Sequence, residues 1–299
     1  LSLFSIVMGE DYTGLHARDS GKFLRALMCF FESFEGLQKT VSDLFGGLIN
    51  HTVKSNGTES VFDEPFHLFS IPVIRGDLQN ALVNFTRAQE VFDADCQLSS
   101  YSDTTSEHSA MLPSKSMLSL IDLESLPLHM MFHLQRFSVS EKIPRKDNRI
   151  FLFPETIDLC RFCSGVPSCH ILHNQEATFQ LAGVVVHEGS LSDGHFYSLV
   201  RDRVTNDWNL FDDREVKSYS GNLKEVLEKH DLTYFCCGED SDYLGSAFIL
   251  VYDRVNAPDS NECRSRKGDE NKCRGAMISP HISGYKLDND LAEFLNVSA

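Results

Sequence analysis

The stretch FQLAGVVVHEGSLSDGHFYSLV, residues 179–200, holds two apolar runs that are separated by a glycine-bearing turn. Both runs are rich in β-branched and aromatic side chains, which favour strands. We therefore predict one strand at residues 179–187 and a second at residues 195–201. His195 follows Gly194 directly, so its imidazole stands at the start of the second strand.

The sequence around this stretch predicts helices first and a mainly antiparallel sheet afterwards. Phe, Leu and Met side chains recur three and four residues apart behind Asp19 and Ser20, which is typical of an amphipathic helix after its N-cap, with Gly36 as a stop. Further helical patterns lie at residues 37–45, 78–85 and 221–229, and the other predicted strands lie at residues 48–53, 66–74, 128–139, 149–153, 208–211 and 247–252. Helices followed by an antiparallel sheet predict the α+β class.

Composition excludes some classes of partner. The chain has 299 residues, of which 42% are hydrophobic, and this is enough for a substantial core. A formal net charge of −16 argues against non-specific binding to nucleic acid or to an anionic membrane surface. The longest apolar runs are too short to span a membrane. Nine scattered cysteines favour reduced thiols, hence an intracellular protein in the cytoplasm or also the nucleus.

Polar segments interrupt and end the predicted fold. Residues 97–116 are rich in Ser and Thr, so we predict a flexible insertion there. Residues 256–299 predict a mostly disordered tail with one short helix near residues 287–294. The chain opens with LSLFSIVMGE, which has neither an initiator Met nor a signal-peptide layout, and we expect a fragment.

Asp212 ends the predicted strand at residues 208–211, one hairpin away from His195. Neutral imidazole can take a proton from a thiol and later give it to a leaving group, provided that a partner fixes its tautomer and orientation. A carboxylate on the neighbouring strand can do this. The spacing therefore predicts a general base and its orienting acid, and the alternative is that His195 only caps an ordinary strand.

The chain carries four blocks, FQLAGVVVHEG, GHFY, WNLFDD and SAFILVY, in this order. Together they resemble the ubiquitin-specific protease (USP) family of cysteine deubiquitinases, whose pattern runs roughly Y-x-L-x-(A/G)-V-(I/L)-V-H-x-G, then G-H-Y, then W-x-x-F-(D/N)-D and A-Y-x-L-x-Y. Upstream, PLHMMFHLQRF, IFLFPETIDL and DEPFHLFSIPV resemble further family blocks. The resemblance covers residues 15–255 or nearly so, and the large fat-facets-type members look most similar.

The resemblance implies a papain-like fold of fingers, palm and thumb, with residues 1–255 as the C-terminal portion of a USP catalytic domain. It implies cleavage of isopeptide or peptide bonds after the C-terminal glycine of ubiquitin, with ubiquitin and ubiquitinated proteins as partners and no cofactor. By position, His195 would be the general base, Asp212 its orienting residue, and Asp213 a neighbouring polar residue of the site. The expected substrate-binding residues, in and beside a turn that would border the channel for the ubiquitin tail, are Gly189, Asp193, Gly194, Phe196, Tyr197 and Trp208.

The family's nucleophile box, roughly G-(L/I)-x-N-x-G-N-T-C-Y, has no counterpart in this sequence. We expect the nucleophilic Cys upstream of Leu1, together with the Asn that helps to stabilise the oxyanion, so that this chain alone would be inactive. Cys29 is not a substitute, because it lies among apolar neighbours in the middle of a predicted helix, and we expect it to be buried.

The first predicted helix also departs from the family. The family's pattern here is Q-x-D-A-x-E-F, and Asp19 and Phe23 of this chain match it. Three positions differ: His16 replaces Gln, Gly21 replaces a residue with a side chain, and Lys22 replaces Glu. These changes favour a second function, a non-catalytic USP-like module that binds ubiquitin or scaffolds a complex. The retained His195 and Asp212 favour the first function, an active deubiquitinase.

A third possible function depends on whether the chain binds zinc. Many family members hold a structural zinc in the fingers with two C-x-x-C pairs. Of those cysteines the chain keeps only Cys96, so we expect no metal there. A different cluster, Cys160, Cys163 and Cys169 with His170 or His173, offers zinc-ligand types in a compact loop and would make a zinc-knuckle interaction domain. Free, partly buried thiols are the alternative.

Overall fold

The computed structural model describes residues 19–55, 57–74, 76–91, 115–140, 143–149, 151–165, 177–191, 194–229 and 245–255. Several sequence predictions lie outside these described residues. They are the tail at residues 256–299, the substrate-binding Asp193, the cysteine Cys96, the metal-ligand candidates Cys169, His170 and His173, and all of the insertion except Lys115 and Ser116.

Two of the described helices begin directly after an aspartate that caps them. Asp19 caps α1 (Ser20–Glu32), and its carboxylate accepts hydrogen bonds from the backbone N–H groups of Gly21 at 2.7 Å and Lys22 at 3.2 Å. Asp77 caps α3 (Leu78–Phe85) in the same way through the N–H of Asn80. The other described helices are α2 (Gln38–Phe45) and α4 (Leu223–Lys229). The predicted N-cap of α1 is confirmed.

The prediction that Cys29 is buried is wrong, because its side chain is exposed. The buried stripe of α1 contains Leu24, Met28 and Phe31, which pack on the main sheet. Since successive helical residues point about 100° apart, the residue after Met28 turns away from that stripe. Cys29 therefore lies on the outer side of α1.

Seventeen strands are described, and their bounds in chain order are β1 (Gly47–Ser55), β2 (Thr58–Phe66), β3 (Phe69–Pro72), β4 (Gly76–Asp77), β5 (Gln89–Val91), β6 (Lys115–Asp122), β7 (His129–Gln135), β8 (Phe137–Ser140), β9 (Ile143–Lys146), β10 (Phe151–Leu152), β11 (Thr156–Asp158), β12 (Cys163–Ser164), β13 (Thr178–Gly189), β14 (Gly194–Arg201), β15 (Trp208–Asp212), β16 (Glu215–Tyr219) and β17 (Ser246–Arg254). A 3₁₀ turn, Cys160–Phe162, precedes β12.

The main sheet has the order β16-β15-β14-β13-β17-β7-β3, and β11 pairs with the start of β13. Its pairs are antiparallel except β3 with β7. A second sheet has the order β12-β6-β1-β2, and β5 also pairs with β6. The hairpins and long antiparallel strands therefore confirm the predicted α+β class, with helices first and a mainly antiparallel sheet after them.

Alternate residues of the main sheet enter two apolar clusters, because successive strand residues point to opposite faces. Val184 and Val186 of β13 belong to the larger cluster, whereas Val185 packs against the smaller one. The smaller cluster also contains Met28 of α1 and Val41 of α2. The two N-terminal helices therefore cover one face of the sheet.

Arg136 divides the strand that the sequence predicts at residues 128–139. Its side chain is fully buried and donates to three backbone carbonyls: Nε to Ala247 at 2.6 Å, and Nη1 to Asp147 at 2.8 Å and Arg149 at 3.0 Å. Since β8 leaves the main sheet to pair with β9, the chain bends at this arginine. An apolar pattern does not show such a bend.

Two further differences from the sequence predictions concern strands with little burial. All residues of β2 except Phe66 are exposed, and β16 is exposed apart from Tyr219, so neither shows the alternation that reveals a strand. The predicted insertion overlaps β6 at Lys115 and Ser116. Within the described ranges, no helix is long and apolar enough to cross a membrane.

Candidate active site

His195 and Asp212 lie on neighbouring antiparallel strands. His195 is the second residue of β14, and Asp212 is the last residue of β15, one residue beyond the Ser198–Phe211 pair that fixes the register. The Nε2 atom of His195 lies 2.5 Å from Oδ1 of Asp212. Both side chains are partly open to solvent, with exposed fractions of 44% and 40%. The hairpin thus brings together the two residues that the sequence predicts as partners.

The contact with Asp212 determines which imidazole nitrogen can act as a base. An ionised carboxylate only accepts hydrogen bonds, so the Nε2–H of His195 donates to Oδ1. In neutral imidazole the proton then sits on Nε2 and the Nδ1 lone pair is available. The site can therefore accept a proton at Nδ1 while Asp212 holds the ring in place.

The same contact stabilises the protonated ring. The hydrogen bond with Asp212 raises the pKa of His195 above its ordinary value. Partial burial opposes this, and the negative charges of Asp212, Asp213 and Glu188 raise the pKa further. The imidazolium that forms when His195 takes a proton is therefore stabilised by its surroundings.

Asp213 adds a second carboxylate through the geometry of a tight turn. Asp212 pairs with Glu215, so only Asp213 and Arg214 separate β15 from β16. Asp213 has φ of 51°, in the left-handed region that Asp tolerates better than most residues. One imidazole nitrogen of His195 and one carboxylate oxygen each of Asp212 and Asp213 lie within 4.8 Å of one another. The turn thus places the second acid beside the first.

Glycines shape the turn before His195. Gly189 has φ of 83° and pairs with Gly194 at the end of the β13–β14 ladder. A Cβ on Gly194 would lie 2.1 Å from Nε2 of His187 and 2.5 Å from the carbonyl oxygen of Ser190. Any side chain at Gly194 would therefore displace the backbone next to His195.

Lys146, which sequence reasoning missed, anchors this turn from β9. Its Nζ donates to the carbonyl oxygen of Gly189 at 2.6 Å and to that of His187 at 3.3 Å. Because the acceptors are backbone atoms, no pattern of side chains could have indicated this contact. Lys146 fixes the turn from outside the two strands that the turn connects.

The rings of His187, Phe196 and Phe248 form an aromatic cluster next to the turn. The rings of Phe196 and His187 lie 4.6 Å apart, and Phe248 lies 5.3 Å from Phe196. Burial lowers the pKa of His187 to about 4, so this imidazole is neutral near pH 7. Phe196, one of the predicted substrate-binding residues, thus contacts the core with part of its ring.

The remaining predicted substrate-binding residues lie at different distances from His195. The ring of Tyr197 lies 6.5 Å from that of His195 and also packs against the larger cluster. Trp208 lies at the opposite end of β15 from Asp212, and only 3% of its surface is exposed. The structure does not bring Trp208 to the pair, and a buried indole can act on the site only by positioning β15.

Comparison with known proteins identifies the family. The family described as ubiquitin carboxyl-terminal hydrolase matches residues 8–252. The chain belongs to this family. Its members among curated proteins include ubiquitin carboxyl-terminal hydrolase 48 of Danio rerio, 29% identical over 143 residues, which are 44% of this chain and 13% of that protein. Ubiquitin carboxyl-terminal hydrolase 34 of Homo sapiens is 25% identical over 82% of this chain and 8% of the relative.

Solved structures show the same fold. A SAGA DUB module of Ubp8, Sgf11, Sus1 and Sgf73 bound to monoubiquitin matches with a TM-score of 0.62 and 17% identity. The match covers 84% of this chain and 52% of that chain, and the same module bound to ubiquitin aldehyde matches equally well. The chain thus has the fold of a ubiquitin-specific protease, as the sequence predicts, and spans about half of that solved chain and a smaller part of the curated relatives.

One departure of α1 from the family pattern has a structural cause. A Cβ on Gly21 would lie 2.9 Å from Nε2 of His133, whose ring is mostly buried against α1 and the sheet. Glycine at position 21 therefore makes room for this imidazole. The side chain of Lys22, by contrast, is on the exposed side of the helix.

Proposed function

We propose that this chain carries the general base of a cysteine-type deubiquitinase, which cleaves isopeptide or peptide bonds after the C-terminal glycine of ubiquitin. The hydrogen bond of 2.5 Å between Nε2 of His195 and Oδ1 of Asp212 is the observation that supports the proposal most strongly. Membership of the family provides the reaction class, because general base, orienting acid and cysteine are the parts of a thiol hydrolase.

In this proposal Nδ1 of His195 takes the proton of a cysteine thiol, and the sulfur keeps the electron pair. The thiolate attacks the carbonyl carbon of the C-terminal glycine of ubiquitin, and the imidazolium then gives its proton to the departing amine. Water, deprotonated by the same Nδ1, attacks the thioester and releases ubiquitin. Asp212 accepts from Nε2 throughout, and Asp213 adds negative charge beside the imidazolium.

The nucleophile belongs to the proposal and is expected N-terminal to Leu1. Among the described cysteines, Cys160 and Cys163 are buried, and burial raises the pKa of the Cys163 thiol. Cys29 lies on the outer side of α1. These positions argue against all three as the partner of His195.

The proposed substrate contact is the turn that connects β13 to β14. Gly189 and Gly194 leave the two ends of this turn without side chains, and Lys146 and the aromatic cluster contact the strand ends that border it. A slender tail that ends in glycines would fit beside such a turn. Ubiquitin and ubiquitinated proteins are therefore the proposed partners.

The experiment compares hydrolysis of a ubiquitin–fluorophore substrate by wild-type protein that includes the sequence N-terminal to Leu1 and by its His195→Ala variant. We expect His195→Ala to lower turnover by about 10³-fold, within the range of a lost general base, while the circular dichroism spectrum stays unchanged. His67→Ala is the matched control, since His67 pairs with Glu32 and lies in the β2–β3 turn. Normal turnover in His195→Ala would refute the assignment. Ubiquitin binding without turnover in the wild type would instead favour the non-catalytic module.

A further inference from the structure

Glu188 is the residue that lies directly opposite His195 across the β13–β14 ladder. Residues that are directly opposite in an antiparallel pair point to the same face of the sheet, with their Cβ atoms about 4.5–5.5 Å apart. The side chain of Glu188 is exposed, so its carboxylate is in contact with solvent. A negative charge is therefore held beside the imidazole by the backbone register alone.

This charge reaches His195 from the side that Asp212 does not occupy. Asp212 and Asp213 belong to β15 and the turn after it, whereas Glu188 belongs to β13, the other neighbour of β14. The imidazole of His195 is thus flanked by acids on both neighbouring strands. Because each carboxylate carries a negative charge, each one stabilises the positively charged imidazolium.

Two of the basic groups near the turn have partners of their own. The Nζ of Lys146 donates to the backbone carbonyl oxygens of Gly189 and His187. Lys217 forms an ion pair of 2.6 Å with Glu215. His187 is buried and neutral near pH 7, because burial lowers its pKa to about 4.

We propose that Glu188 stabilises the protonated form of His195 through space and thereby extends to higher pH the range in which the imidazolium persists. The inference rests on the proposed function, since it assigns Glu188 a positioning role that acts through the general base. In the first step of that reaction a proton leaves the thiol sulfur for Nδ1. Glu188 favours the thiolate–imidazolium side of this transfer without touching either reacting atom.

The test titrates the imidazole of His195 by NMR in this chain, which needs no nucleophile, in a buffer with a chelator to exclude metal ions. The His195 resonance is assigned by its loss in His195→Gln. We expect Glu188→Gln to raise the acid dissociation constant of the imidazolium about threefold at low ionic strength, as for two charges roughly 6 Å apart in a water-like dielectric. The effect should shrink in 0.5 M salt, because the Debye length is then shorter than the distance between the two groups.

Glu124→Gln is the matched control, because Glu124 is an exposed acid in the loop between β6 and β7. An equal change in Glu124→Gln, or none in Glu188→Gln, would overturn the role of Glu188. Asp212→Asn separates this outcome from a failure of the proposed function. If Asp212→Asn leaves the titration unchanged, the His195–Asp212 pair itself is wrong; if only Glu188→Gln does, the pair stands and the inference fails.

Discussion

At the scale of single residues, Asp212 has two effects on His195, orientation and charge, and two variants separate them. Asp212→Asn keeps an oxygen that can accept from Nε2–H, whereas Asp212→Ala removes the acceptor. Both variants should lower the raised pKa of His195, because both remove the negative charge. Only Asp212→Ala should also mix the tautomers, and it should lower turnover by about 10²-fold or more, beyond the loss in Asp212→Asn.

Imidazole ¹⁵N shifts recorded above the titration range measure the tautomer directly in this chain. Asp207→Asn serves as control, since Asp207 lies near the start of β15 and away from the pair. A pure Nε2–H tautomer in Asp212→Ala would contradict the orienting role. The sequence could predict His195 and Asp212 because both stand in motif blocks, but not Glu188, whose position depends on strand register.

At the scale of elements, the β13–β14 turn depends on Lys146 of β9. Lys146→Met removes a charged donor from the carbonyl oxygens of Gly189 and His187. Hydrogen bonds from charged groups contribute about 1.5–3 kcal/mol, so the turn should open more often by a corresponding factor. Hydrogen–deuterium exchange should become faster in the peptide covering residues 185–197 and remain unchanged in β1.

The control is Lys39→Met, which removes an exposed lysine from a surface pair with Asp43. Equal exchange of the turn in Lys146→Met and wild type would exclude the anchoring role. Sequence patterns predicted most elements but not this link, because the contact joins a side chain to backbone oxygens far along the chain. The bend at Arg136 escaped prediction for the same reason, since three carbonyl oxygens hold that guanidinium.

At the scale of the whole molecule, the order of helices and sheet follows from local sequence patterns. The contacts that hold the end of the sheet opposite His195 do not follow from them. The long apolar runs of β13 and β17 are continuous in sequence, so their presence was predictable. The end of the sheet opposite His195 is instead held by Asp253, which joins three elements. Its carboxylate accepts from His129 of β7 at 2.7 Å and from Arg203 of the β14–β15 turn at 2.6 Å.

Asp253 should make the stability of the protein depend on acid pH. Burial alone would raise the pKa of Asp253, but the hydrogen bonds from His129 and Arg203 outweigh it and lower the pKa from 3.8 to about 2. Because the folded-state pKa is depressed, this stabilisation is complete above pH 3.8 and is lost as pH falls towards 2. Asp253→Asn should therefore lower the free energy of unfolding by about 2 kcal/mol at pH 7 and by much less at pH 2.

Urea unfolding between pH 7 and pH 2 measures this difference. The surface variant Asp43→Asn is the control, and it should change the free energy of unfolding by less than about 0.5 kcal/mol. A difference between Asp253→Asn and wild type that stays constant from pH 7 to pH 2 would show that the carboxylate acts by packing and not by its charge.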